Sequence, residues 1–250
     1  MVYKNYCIAL LLLPLFAFSQ SKFVHDSIPT YKKTSNYKAL IIPSLFISYG
    51  IVSLESDYLK TLNYEAKDEL AEHIDKRFTI DDFSQYAPAV AVYGLNAAGI
   101  QGKNNFKDRS IILATSYLLL STSVLTLKSI TKIERPDGSA ANSFPSGHTA
   151  NAFAGAEFLY QEYKNVNIWY GISGYAVATM TGFFRMYNQR HWFSDVVMGA
   201  GIGILSTKMA YWLHPYIKQK VFKSDTKTNT LLTPFYNGKQ VGLGLVININ

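Results

Sequence analysis

From about residue 37 onward, long and weakly polar segments alternate with short charged connections. No repeat of fixed period and no low-complexity tract interrupts them, and helix is predicted to dominate. The pattern therefore predicts an all-α domain over residues 20–215. The predicted helical segments are Ala39–Leu54, Glu55–Arg77, Phe83–Gly102, Ser110–Leu127, Thr149–Tyr160, Asn165–Phe184 and Val196–Leu213.

The apolar segments raise the question of whether the helices cross a membrane. If the N-terminus is exported and Ala39–Leu54, Phe83–Gly102 and Ser110–Leu127 all span, the cations Lys103, Lys107 and Arg109 would face outward, against the positive-inside tendency. The mean hydropathy of +0.04 is low for a chain made mostly of spanning helices. A membrane-spanning bundle and a fully extracytoplasmic bundle therefore both remain open. The uncharged segments long enough to span a bilayer are Phe83–Gly102, Ser110–Leu127 and Asn165–Phe184.

A pair of glycines marks the last predicted helix. Gly199 and Gly203 form a GxxxG pattern, which lets another helix approach closely. The pattern suits a membrane bundle and a tight soluble bundle equally well.

The N-terminal 19 residues predict a secretory signal peptide. Lys4 provides a basic start, an apolar run extends from Ile8 to Phe18, and Ser19 supplies a small residue near the expected cleavage site. An uncleaved anchor helix is the alternative, although the run is short for a span. Cleavage would remove Cys7, the single cysteine, and with it any disulfide, thiolate metal site or cysteine nucleophile.

Residues 216–250 are predicted to form a basic tail that ends in a short β-hairpin. Lysines outnumber acidic residues in its first part, as expected of a solvated or membrane-surface segment. Apolar residues then alternate on either side of Asn237-Gly238, a strong hairpin signal. An isolated hairpin is marginally stable, so we expect it to pack on the helices or on a partner.

Composition and charge narrow the class of protein. At 250 residues, 48% hydrophobic and 16% charged, the chain is neither disordered, coiled coil nor collagen, and its length suits one domain. The net charge of +7 suits anionic partners such as phosphate-bearing substrates or acidic lipid surfaces. Nucleic acid is not expected, because the lysines are scattered and no base-reading motif accompanies them.

The first motif that carries chemistry follows the Ser110–Leu127 segment. Lys128 and Arg135 are seven residues apart, about two helical turns, so both can address the same anion. Pro136 then stops the helix. Taken alone the motif is weak, because cations are common at helix C-termini, where they complement the dipole.

The second motif is Pro145-Ser146-Gly147-His148, which precedes the predicted helix Thr149–Tyr160. Ser146 is placed to cap that helix, and Gly147 lets a ligand approach the backbone closely, so the free amides form a binding site for an oxyanion. His148 would lie beside this binding site, where an imidazolium can protonate a leaving oxygen. The alternative is an ordinary capped helix with an exposed histidine.

The third motif runs from Arg185 to Asp195 and opens the last predicted helix. His191 and Asp195 are four residues apart and share one face if helical, so the carboxylate can orient the ring and leave its other nitrogen nucleophilic. A helix-surface contact of small energetic weight is the alternative. If the helices run up and down in sequence, all three motifs meet at one end of the bundle.

Together these motifs resemble the superfamily of type 2 phosphatidic acid phosphatases, class A acid phosphatases and vanadium-dependent haloperoxidases. The matching residues, between Lys128 and Asp195, keep the family's order and spacing. They cover about a quarter of the chain. Phe184 departs from the pattern, because the family usually has serine before the arginine. The resemblance implies a helical bundle of about six core helices and metal-independent phosphoryl transfer.

The resemblance also implies a role for each matched residue. His191 would attack phosphorus to form a phosphohistidine, Asp195 would hold its ring, and His148 would protonate the leaving group. The phosphoryl oxygens would be bound by Lys128, Arg135, Ser146, Gly147 and Arg185. No cofactor motif is present. No metal site is expected, because the only His, Asp or Glu pair with the spacing of metal ligands is His191 and Asp195, which is better explained as an orienting pair. His25, His73 and His214 are expected to be surface or core residues.

The expected substrate is a phosphate on an envelope lipid, and the expected location is the periplasmic side of the envelope, with membrane association. The apolar helices, the tryptophans and the basic tail favour such a substrate. A soluble periplasmic acid phosphatase acting on small monoesters is the close alternative. A vanadate haloperoxidase and a catalytically inactive envelope scaffold are further alternatives. The oligomeric state is left open.

Overall fold

The computed structural model describes residues 37–72, 78–221, 229–236 and 241–248. Within these ranges a 3-10 turn at Tyr37–Leu40 is followed by eight α-helices and then by two β-strands. The helices are α1 (Ile41–Ser53), α2 (Asp57–Ala71), α3 (Ile80–Ser84), α4 (Ala87–Ala97), α5 (Phe106–Thr131), α6 (Gly147–Tyr163), α7 (Ile168–Tyr187) and α8 (Phe193–Val221). The strands are β1 (Asn229–Tyr236) and β2 (Val241–Asn248).

Helices α6 and α8 form the centre of the bundle. Helix α8 packs against α1, α5 and α6, and α6 also packs against α4 and α7. A Cβ on Gly203 would lie 2.3 Å from the carbonyl oxygen of Ala150, and one on Gly199 would lie 2.5 Å from that of Ser146. No side chain fits there, so α6 and α8 touch backbone to backbone. The close approach expected from the GxxxG pair is confirmed, and its partner is α6 of the same chain.

The helices run up and down, so that the four site-bearing helix ends meet. The amide of Ser146 at the start of α6 donates to the carbonyl of Asp195 in α8 at 3.0 Å. The amide of Asp137, after α5, donates to the carbonyl of Gln189, after α7, at 3.2 Å. At the opposite end, the His214 ring contacts the Asp108 carboxylate at 3.2 Å. The juxtaposition of the three motifs is therefore confirmed.

The predicted helix Phe83–Gly102 is wrong. The chain instead forms the short α3 and the 11-residue α4, and Pro88 lies in the first turn of α4. Proline suits that position because its missing amide has no intrahelical partner there. An 11-residue helix is too short to cross a bilayer. This break is one reason why the described chain contains eight helices and not about six.

Two helices are long and apolar enough to cross a membrane, namely α5 and α8 up to Lys220. Of the three uncharged segments long enough to span, only the one within α5 meets this test. A third candidate arises if Tyr37–Ser53 and Asp57–Ala71 count as one span, although they are bent by 97°. Helix α5 exposes its apolar side chains, including Leu118 and Leu125, to the surroundings.

The two strands pair antiparallel, from Tyr236 opposite Val241 to Asn229 opposite Asn248. The expected turn at Asn237-Gly238 lies outside the described residues, as do residues 222–228 of the basic tail. The predicted signal peptide, Cys7, His25 and His73 also lie outside them.

Candidate active site

The predicted nucleophile and its orienting carboxylate are both buried. His191 is 3% exposed and Asp195 is 1% exposed. The Nδ1 atom of His191 lies 3.4 Å from Oδ2 of Asp195. The expected reason for this contact is wrong, because His191 precedes α8 and does not lie on its face. The pair forms because the loop folds back over the first turn of the helix.

Asp195 is fixed by two further donors. The backbone amide of Trp192 donates to Oδ2 at 2.9 Å, which is the reciprocal half of a capping box. The hydroxyl of Ser143 donates to the same oxygen and lies 3.4 Å from Nδ1 of His191. The carboxylate therefore has little freedom to rotate. With Nδ1 turned towards it, the Nε2 atom of His191 is left for chemistry.

Burial sets the protonation state of His191. The pKa of the ring is lowered to about 4, chiefly by loss of hydration; Asp195 opposes this shift, and the nearby Arg185 and Lys128 charges add to it. The imidazole is therefore neutral at physiological pH. A neutral ring is the form that a nucleophile requires.

Arg185 reaches the site from the last turn of α7. Its Nη1 atom pairs with Oδ2 of Asp81 at 2.5 Å and lies 3.9 Å from Oδ1 of Asp82. Asn188 donates to the other oxygen of Asp81 at 3.2 Å and so holds this buried carboxylate in place. Asp81 thereby orients the guanidinium of Arg185. The preceding residue, Phe184, packs its ring against Phe78 in an aromatic cluster.

Two guanidinium groups in the site have incomplete hydrogen bonding. The Nε atoms of Arg135 and Arg185 are buried, and neither has a hydrogen-bond partner among the described residues. Burial, together with the charge of Arg185, lowers the pKa of Arg135, so the two groups lie close enough to repel each other. A buried donor without a partner costs roughly 1–3 kcal/mol. Two such donors on neighbouring cations have the chemistry that an anion-binding site requires.

Lys128 and Ser146 are engaged by the protein itself. The ammonium of Lys128 donates to the carbonyl of Ser143 at 3.2 Å and to that of Asn142. The Ser146 hydroxyl caps α6, accepting from the amide of Thr149 at 3.4 Å. A Cβ at Gly147 would meet only Val124, at 3.8 Å, so the fold itself does not require glycine there. These residues surround the site, as the motifs predicted.

His148 lies at the start of α6 and has a carboxylate partner. Its Nε2 atom is 3.0 Å from Oδ1 of Asp82. Burial and the Arg185 charge lower the pKa of His148, whereas Asp82 opposes them. The histidine is half-buried rather than exposed.

One group in the described residues could offer ligands to a metal ion, and the sequence did not predict it. Ligand atoms of Asp81, Asp82 and His148 lie within 4.8 Å of one another. Arg185 is already paired with Asp81, and its positive charge opposes a cation at this position. The arrangement fits an ion-paired network better than a metal centre.

A cavity of about 560 Å³ opens beside the site. Arg135 and Asp195 contribute to its wall. The rest of the lining comes from the α1–α2 corner, from α2, from the loop after α5, and from Trp192 and Ser194. The cavity therefore reaches the candidate site at Arg135 and Asp195, and it is large enough for a substrate headgroup.

The comparison with known protein families agrees with this geometry. Residues 109–219 match the PAP2 superfamily. This stretch, which is less than half of the chain, is similar to a PAP2 domain. The resemblance drawn from the motifs is therefore confirmed, and these residues include every predicted site residue from Lys128 to Asp195.

One curated protein and two solved structures are similar to this chain. The lipid A 1-phosphatase of Porphyromonas gingivalis is 39% identical over 160 residues, or 64% of this chain, and the match spans 35% of that protein. The crystal structure of Aquifex aeolicus LpxE covers 60% of this chain and 95% of its own, with 22% identity and a TM-score of 0.47. The match to the crystal structure of a transmembrane PAP2-type phosphatidylglycerolphosphate phosphatase from Bacillus subtilis covers 74% of this chain and 99% of that protein's chain. The identity is 18% and the TM-score is 0.48.

The two candidate spans indicate that the chain is membrane-associated. The chain matches only about a third of the length of its curated relative.

Four residues that position the site lie outside the three motifs, and the sequence did not predict them. Asp81 and Asp82 begin α3, where acidic residues ordinarily complement the helix dipole. Ser143 lies in a turn-rich loop, and Asn63 lies in an amphipathic helix. None of these positions carries a local signal, because each acts through a partner at least 48 residues away.

Proposed function

We propose that this chain is a phosphatase that removes a phosphate group from an envelope lipid through a phosphohistidine intermediate. The observation that carries the proposal is the pair of buried, unpartnered Nε donors on Arg135 and Arg185 beside the neutral His191. A phosphoryl group would supply acceptors for both donors and relieve the repulsion between the two cations. Lys128 and the first amides of α6 add further positive potential.

In the proposed reaction, Nε2 of His191 attacks phosphorus while the bond to the leaving oxygen breaks in line. The His148 imidazolium gives its proton to the leaving oxygen. Asp195 stabilises the positive charge that develops on the His191 ring. Water then attacks the phosphohistidine, with His148 accepting the proton, and free His191 and inorganic phosphate result.

The proposed substrate class is a lipid phosphate, and the site is proposed to face the periplasm. Two lines of support favour a lipid over a small soluble ester: the exposed apolar surface of α5, and the likeness to a lipid A 1-phosphatase. A lipid A phosphate is therefore the first substrate to try. The soluble acid phosphatase reading has less support, because two helices are apolar enough to cross a membrane.

Phosphate release from a panel of substrates tests the proposal. The full chain in detergent is assayed on lipid A, phosphatidate, phosphatidylglycerophosphate and the soluble ester p-nitrophenyl phosphate. We expect kcat/KM for at least one of the lipids to exceed that for the soluble ester by about 10²-fold or more, since remote contacts supply binding energy to the reaction. Equal or greater activity on the soluble ester would favour the acid phosphatase alternative instead.

Substitution of Asp82 tests the role of His148. Asp82→Asn removes the carboxylate that raises the pKa of His148 and leaves the two influences that lower it. Because His148 must be protonated to act as the acid, the alkaline limb of the kcat/KM profile is expected to move to lower pH. At neutral pH we expect kcat/KM to fall about tenfold.

The acid limb of the same profile provides an internal reference. It reports the protonation of His191, whose pKa is about 4, and is expected to stay in place in the variant. Asp68→Asn, at an exposed position on α2, is the matched control and should reproduce the wild-type profile. An unchanged alkaline limb in Asp82→Asn would remove His148 as the general acid.

A further inference from the structure

One face of α2 lines the cavity beside the phosphoryl site. Lys60, Asn63, Tyr64 and Lys67 all contribute to the wall, and their spacing places them on a single side of the helix. The two lysines are seven residues apart, which corresponds to about 10 Å along the helix axis. The mechanism uses neither of them.

Neither lysine is neutralised within the described residues, where Lys60 and Lys67 form no ion pair. The ammonium of Lys67 lies over the Trp192 ring, 5.8 Å from its centroid, and this aromatic ring is itself packed edge-on against Tyr64. Both lysine side chains are half-buried. Their positive charges are therefore held at the cavity wall rather than dispersed in solvent.

The carboxylates of the cavity do not balance these charges. Asp195 is occupied by the His191 ring and by the Ser143 and Trp192 donors. Glu134, the other acidic residue of the lining, is exposed. With Arg135 also present, cations predominate along the wall.

Helix α2 is fixed relative to the nucleophile. The side-chain amide of Asn63 donates to Oγ of Ser194 at 2.9 Å, and the backbone amide of Ser194 donates back to Oδ1 of Asn63 at 3.0 Å. Asn63 is buried, and Ser194 follows His191 by three residues. The lysine-bearing face is thus held at a set distance from the reacting histidine, as a specificity site requires.

We propose that Lys60 and Lys67 bind a second anionic group of the substrate, distinct from the phosphate that is cleaved. This inference rests on the proposed lipid phosphatase function and narrows its substrate class to lipids with at least two anionic groups in the headgroup. The cavity volume of about 560 Å³ is that of a site for a drug-sized headgroup rather than for one phosphate ion.

A matched pair of substrates tests the proposal. Lipid A with phosphates at both ends of its disaccharide is compared with the same lipid that retains only the 1-phosphate, using the full chain in a neutral detergent. We expect wild-type kcat/KM to be about tenfold higher for the doubly phosphorylated lipid, and we expect that preference to shrink as salt is raised. In the Lys60→Ala/Lys67→Ala double variant the preference should fall to about one, with little change in the rate on the monophosphate.

Lys220→Ala is the control, because this exposed lysine lies at the opposite end of α8. It should keep the wild-type preference. A wild-type preference that survives in the double variant, or an equal loss of rate on both lipids, would overturn the proposal while leaving the phosphatase function intact. If wild type releases phosphate from neither lipid but cleaves the soluble ester, the lipid phosphatase function itself fails, and this inference fails with it.

Discussion

Replacement of His191 by alanine is expected to reduce phosphate release by about 10⁴-fold or more, because no other described group is placed to accept the phosphoryl group from the substrate. The side chain is buried, and its neutral Nε2 is the only nitrogen of the ring that Asp195 leaves free. The measurement is kcat on a lipid phosphate, together with trapping of labelled, acid-labile phosphate on the chain. Wild type should yield the label, and the variant should not.

His214→Ala provides the matched control for this variant. His214 also contacts a carboxylate, Asp108, but at the opposite end of the bundle. Its replacement should leave labelling and kcat near the wild-type values. Full labelling of the His191→Ala chain would show that the nucleophile lies elsewhere and would refute the proposed mechanism.

Replacement of Arg185 by lysine is expected to lower kcat/KM by about 10²–10³-fold, the usual cost of losing one transition-state donor. Lysine keeps the charge but has no planar fork, so it cannot serve Asp81 and a phosphoryl oxygen together. The measurement is steady-state kinetics on the best lipid substrate. Thermal unfolding in the same detergent shows whether the variant is folded.

Arg185→Ala alone would leave the buried carboxylate of Asp81 without its cation, which costs roughly 3–5 kcal/mol in folding free energy. The double variant Arg185→Ala/Asp81→Asn avoids that charge and should still be nearly inactive. Arg109→Lys, a buried arginine bonded to the Asn104 carbonyl at the far end, is the matched control and should retain activity. Activity in a folded double variant within tenfold of wild type would rule out Arg185 as a phosphoryl ligand.

Much of the site could be predicted from the sequence because its chemistry lies in short local patterns. Ser146 caps α6 as expected, and Arg135 and His191 occupy the ends of segments whose direction follows from their order along the chain. Local patterns could not reveal the support from α3. Asp82 reaches His148 across 66 residues, and its position in the sequence resembles any acidic helix start.

The helix boundaries were predicted less well, for a related reason. An uncharged run shows that a segment is apolar but not whether it is continuous, and Pro88 divides the Phe83–Gly102 run into two short helices. The same break brings α3 close to the end of α7, where Asp81 meets Arg185. A feature that made the prediction wrong therefore also supplies a partner of the active site.

The glycine contact between α6 and α8 has a consequence for enzymes that work in different bilayers. Backbone atoms meet at Gly199 and Gly203 without flexible side chains between them, so these two helices cannot readily shift along each other. The exposed apolar side chains of helix α5 form a surface for the surrounding hydrocarbon, whose thickness differs between bilayers. Because Ser146, His148 and Asp195 lie on the rigid α6–α8 pair, their relative positions should change little with acyl-chain length.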